Sequence, residues 1–126
     1  MKVQLQGQSL RLRIGEDELA RLLAGERVDN VTAAGAGAVL RQGLAVVQGD
    51  AATFAVDGDG WRFGLPEAAV RDYVARLPCR DALEFTLAEG DAPLALSFEV
   101  DVRDSVRRRG PPTRRRADAT RGPAPL

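Results

Sequence analysis

The sequence predicts a single α+β domain over residues 1–103: a mainly antiparallel sheet or partly closed barrel built from two tandem ββαββ units, with two helices. A disordered Arg/Pro-rich tail is expected over residues 104–126. Three observations carry this. The apolar phase flips around Gly7-Gln8, the same pattern returns 51 residues later, and the composition changes at residue 104.

The phase flip comes first. Val3 and Leu5 are apolar at odd positions, whereas Leu10, Leu12 and Ile14 are apolar at even ones. One strand cannot do this without a bulge, because side-chain direction alternates with period two. A two-residue turn at Gly7-Gln8 resolves it, setting Leu5 opposite Leu10 and Val3 opposite Leu12. Glycine at the first central position suits a type II′ hairpin turn.

A helix follows, with Leu19, Leu22 and Leu23 forming an i, i+3, i+4 stripe and Glu16, Asp17 and Glu18 at the positive end of its dipole. Gly25 suits its stop. Shifted by 51 residues, Leu5 falls on Val56, Gly7 on Gly58, Leu10 on Trp61, Leu12 on Phe63 and Ile14 on Leu65. Pro66 then suits a helix start, Val70, Tyr73, Val74 and Leu77 form its stripe, and Pro78 suits its stop. Leu83, Phe85 and Leu87 alternate next, followed by Leu94, Leu96, Phe98, Val100 and Val102. Leu40, Leu44 and Val46 match Leu94, Phe98 and Val100 at an offset of 54. The pseudo-repeats therefore run over about 2–48 and 53–102.

The stretch from Asp29 to Ala38 is the weakest strand, since Ala and Gly are poor strand formers. It could leave an open sheet edge for another chain. All six aromatic residues (Phe54, Trp61, Phe63, Tyr73, Phe85, Phe98) lie in the second unit on the inward phase. That unit is expected to supply most of the core.

Composition bounds the chemistry. The chain has 126 residues, no histidine and one cysteine, Cys79. The commonest general base and zinc ligand are missing, and no internal disulfide can form. No cofactor or metal site is expected. Asp57-Gly58-Asp59-Gly60 lacks the later oxygen ligands of a calcium loop, with Trp61 and Ala68 where they belong, and reads as a turn. Gly35-Ala36-Gly37 reads as a connection, since no helix follows it. With no signal peptide and no long apolar run, a cytoplasmic location is expected and no membrane contact.

Charge is divided unevenly. Residues 1–103 hold 11 Lys/Arg against 16 Asp/Glu, and residues 104–126 hold 7 Arg against 2 Asp. The tail has too little apolar area to offset the entropy of ordering. Its arginines could attract phosphate backbones or fold back onto the acidic domain. Within the domain, Lys2, Arg11, Arg13 and Arg62 form a candidate anion-binding set. Lys2 faces Arg13 across the first hairpin, and Arg62 occupies the repeat position of Arg11. A pseudo-twofold could bring these together on a carboxylate or phosphate, unless Glu84, Glu99 or Asp101 on neighbouring strands neutralise them.

The opening MKVQLQGQSLRLRIGEDELARLLAGERV resembles the start of a small bacterial protein family of unknown function. Members of that family begin with a lysine-led strand, a Gly-Asn-Ser-type turn, a Leu-Arg-Leu-Arg segment and a helix. The likeness covers about the first thirty residues, with Gln8 where the family has asparagine. It implies a compact domain and no particular activity. No catalytic constellation is evident, so a non-catalytic ligand- or protein-binding domain is expected, its partner a protein or a small anionic ligand. A nucleic-acid-associated role through the tail, or a small-ligand enzyme using carboxylates and arginines, is the alternative.

Overall fold

A computed structural model describes residues 1–58, 60–87 and 91–111. The elements run β1 (Lys2–Gln6), β2 (Ser9–Ile14), α1 (Glu16–Leu23), β3 (Val28–Gly35), β4 (Ala38–Val47), β5 (Thr53–Asp57) and β6 (Gly60–Pro66), followed by α2 (Glu67–Val74), β7 (Leu83–Leu87), β8 (Leu94–Val100) and α3 (Val102–Arg109). The α+β class holds, and the eight strands form two open four-stranded mixed sheets.

Both hairpins have the expected register. Leu5 pairs with Leu10 and Val3 with Leu12, while Val56 pairs with Trp61 and Phe54 with Phe63. Gly7 takes φ +53° at the first turn, a conformation an L side chain resists. At the second turn the positive φ falls on Gly60 (+114°) rather than on Gly58. A Cβ on Gly60 would stand 2.4 Å from the Arg41 carbonyl oxygen, so glycine also permits a close backbone approach there.

The sheets interlace the two halves. Sheet A has the order β1-β2-β8-β7 and sheet B the order β3-β4-β6-β5. Each joins a hairpin from one half to a hairpin from the other through a central parallel pair. In sheet A, Leu12 pairs with Phe98. In sheet B, Leu44 pairs with Phe63. These two pairs are repeat equivalents, Leu12 matching Phe63 and Leu44 matching Phe98, so each sheet repeats the other's construction.

The core is a single cluster fed by both sheets, α1 and α2. The second half supplies the larger part of it, including every buried aromatic ring among the described residues. Of the fifteen apolar side chains buried among the described residues, seven precede residue 50 and eight follow it. Phe63, Tyr73 and Phe98 are buried, but Phe54 is exposed. Tyr73 packs edge-on against Phe98 at 5.9 Å, and its hydroxyl accepts from the Val100 N–H at 3.4 Å. Burial pushes that phenol up to about 12.

One correction concerns the tail. The expected boundary at residue 103 falls inside α3, so residues 104–109 are helical, and Val102 opens this helix instead of extending β8. Residues 112–126, which complete the expected disordered segment, lie outside the described residues. The helix docks through charge. Asp101 caps it, accepting from the Asp104 N–H at 3.1 Å. Asp104 in turn accepts from the Glu16 N–H at 2.6 Å, giving α1 the capping carboxylate that Gly15 lacks. Arg109 grips Glu16 through Nε at 2.7 Å and Nη2 at 3.0 Å, and Ser105 donates to the same carboxylate at 2.7 Å. Arg108 pairs with Asp17 and Arg107 with Asp104.

This docking has a pH signature. Arg109 beside the buried Glu16 carboxyl, with help from Ser105, holds it below its ordinary 4.5 despite desolvation. A carboxylate depressed by folding contributes stability that is fully present above about pH 4.5 and is lost as pH falls through the folded value. Glu16→Gln is expected to cost about 1–2 kcal/mol at neutral pH and to flatten the acid side of a melting-temperature profile. An unchanged profile between wild type and variant would contradict this role.

Candidate functional site

The four predicted basic residues do not converge. Arg11 and Arg13 both donate to Glu99 Oε1, at 3.1 and 3.2 Å, on the outer face of sheet A. The parallel β2–β8 register places Arg13 beside Glu99 and Arg11 beside Ser97, so the buried carboxylate lies within reach of both guanidinium groups. Arg62 sits in sheet B and pairs with Asp57 at 2.7 Å. Three separate grooves result. Arg11 lines one of about 300 Å³ with Gln4, Ser9 and Ser97, Lys2 and Arg13 line another beside Glu18, Asp101 and Asp104, and Arg62 lines a third with Arg27. Repeat equivalence puts Arg11 and Arg62 at matching positions of different sheets, which is why they stay apart.

Two of the three neighbouring carboxylates are also committed. Glu99 serves Arg11 and Arg13, and Asp101 caps α3. On sheet B, Asp29 stands between Arg27 and Arg41. Arg27 Nε approaches Asp29 Oδ1 to 2.9 Å but off the hydrogen-bond axis, so this buried oxygen receives charge without a hydrogen bond.

A different surface emerges from burial. Among the described residues six large apolar side chains are exposed, from 42% for Phe54 to 63% for Val56, and five of them belong to sheet B: Val31, Val39, Leu40, Phe54 and Val56. Period-two alternation puts Leu40, Phe54 and Val56 on the core-facing side of the sheet, together with the half-buried Trp61. That side reaches past the region sheet A covers. Phe54, Trp61 and Phe63 form a chain of ring contacts at 5.1–6.4 Å that runs from the core to the open end.

Sequence reading put Phe54, Val56 and Leu40 on the right phase but expected them covered. A clue lay in the repeat. At inward positions where the second half has Phe85, Leu87 and Leu96, the first half has Asn30, Thr32 and Gln42. Polar side chains on an inward phase mark the end of the core. Instead of facing core, Asn30 donates to Gln42 across the strands at 2.9 Å.

Comparison with known proteins finds no family model that matches the chain and no curated protein that matches it.

Proposed function

We propose that this chain is a non-catalytic protein-interaction domain that binds through the exposed apolar side of sheet B. The observation that carries it is that Leu40, Phe54 and Val56, three of the six large apolar side chains exposed among the described residues, share one side of sheet B with Trp61. Isolated exposed apolar side chains are ordinary, but a contiguous set around an aromatic cluster marks a recognition surface. Aromatic side chains are enriched in interface cores, and Phe54 and Trp61 supply them here. An uncharged patch suits a protein partner better than a small anion. The three arginines of the candidate anion set, Arg11, Arg13 and Arg62, already have carboxylate partners. Arg107, Arg108 and Arg109 pair with Asp104, Asp17 and Glu16, which takes three tail arginines away from any phosphate backbone.

The test is affinity capture from native extract with the full chain as bait, beside a Val56→Lys variant. Val56 is exposed, so lysine should leave folding unchanged while placing a charge in the patch. A protein retained by wild type and reduced at least tenfold on the variant is expected. Equal retention by both baits, or none by either, would overturn this reading.

A further inference from the structure

We infer that two copies of this chain associate through the arm formed by β3 and β4, the two β3 strands pairing antiparallel across a twofold axis. The inference rests on the interaction-domain reading and commits part of that surface to one occupant.

β3 is the longest edge strand, with eight residues against five for each of β1, β5 and β7. Its outer side has no neighbour in the sheet. Residues 31–40 are exposed along their whole length, and residues 30–40 carry no charge. The pairing of β4 with β6 begins at Gln42, so the outer arm is a two-stranded ribbon. Such a ribbon is marginal in water by itself. Edge strands are normally protected by charge, proline or a bulge. Here the irregularity lies next to the turn, between Ala33 and Gly35, and leaves Val28–Thr32 regular.

A second copy fits this edge by its own sequence. Pairing centred on Thr32 sets Thr32 against Thr32 of the second copy and Val31 against Ala33, inside the stretch that precedes the irregularity. No like charges meet. Within each copy Ala33 already neighbours Val39, and Thr32 neighbours Leu40. One face therefore gains a row running Val39, Ala33 and the second copy's Val31. The other gains Leu40, Thr32, Thr32 and Leu40. Three of the six large apolar residues exposed among the described residues come together in one contact that buries no charge, and the two sheets become a single eight-stranded one.

Sedimentation equilibrium of the full chain over about 1–200 micromolar tests this. The expected mass rises from 13.5 kDa towards twice that value. Val31→Lys, at an exposed position, is expected to weaken association at least tenfold with an unchanged circular dichroism spectrum. Thr32→Cys in a Cys79→Ser background is expected to form a disulfide-linked dimer on mild oxidation, because a residue on the axis meets itself within bonding reach. A single-chain mass at every concentration overturns the inference. So does a dimer that Val31→Lys leaves intact and Thr32→Cys fails to cross-link. A monomeric chain that still captures a Val56-dependent protein removes the dimer and keeps the interaction reading, whereas loss of both results removes both.

Discussion

Cut between residues 50 and 51, the chain is expected to give two fragments that do not fold separately as monomers and that regain the native circular dichroism spectrum when mixed. The cut falls in an exposed connection between β4 and β5, so it breaks no ladder. Each fragment keeps two hairpins and loses both parallel pairings, β2 with β8 and β4 with β6, because each pairing joins the two halves. The fragments also divide the core into seven and eight buried apolar side chains. A core of half this size does not offset the conformational entropy of ordering about fifty residues. Cooperative thermal unfolding of either fragment as a monomer would refute the interlaced construction.

Phe98→Ala is the point change expected to cost most, about 4 kcal/mol. Phe98 is fully buried, lies between Leu12 and Leu83 across the ladder, and packs edge-on against Tyr73. Truncation leaves a void at the pairing that joins β2 to β8. Total stabilities of domains this size run from about 5 to 15 kcal/mol, so this one residue holds a large share. Its repeat equivalent, Leu44, occupies the same place in sheet B and is buried equally. Leu44→Ala should cost less, about 3 kcal/mol, because leucine leaves a smaller cavity. Chemical denaturation of both variants checks the order. A Phe98→Ala cost below 1 kcal/mol would contradict the placement of the core.

Hairpin registers and helices were legible in the sequence because both are local. Alternation around Gly7-Gln8 determines which residues face each other across β1 and β2, and the Leu19–Leu22 spacing determines a helical face. The partners of β2 and β4 were not legible. A parallel pairing between strands more than eighty residues apart, as in β2 with β8, leaves no local mark. The basic set failed for the same reason. Alternation shows that Arg11 and Arg62 point outward, but not that they point outward from different sheets.

The helix α3 was missed because its docking is electrostatic. Glu16, Asp17, Arg108 and Arg109 read as ordinary surface residues until α1 and α3 meet, 91 residues apart for the Arg108–Asp17 bond. The Asp101–Asp104 spacing before Val106 was the available capping cue. The exposed side of sheet B was half legible. Its apolar phase was plain in Leu40, Phe54 and Val56, while the loss of cover shows only when Asn30, Thr32 and Gln42 are set against their repeat partners.

Hydroxyl-radical footprinting tests the binding role of sheet B most directly. Purified chain and the same chain in native extract would be labelled in parallel and compared at Leu40, Phe54, Val56 and Trp61, with Leu5 as an exposed reference in sheet A. Strong labelling of the four residues in the dilute pure protein, and at least a severalfold loss in extract with Leu5 unchanged, is the predicted outcome. Labelling of the four that stays the same in extract would contradict a role for this surface in recognition.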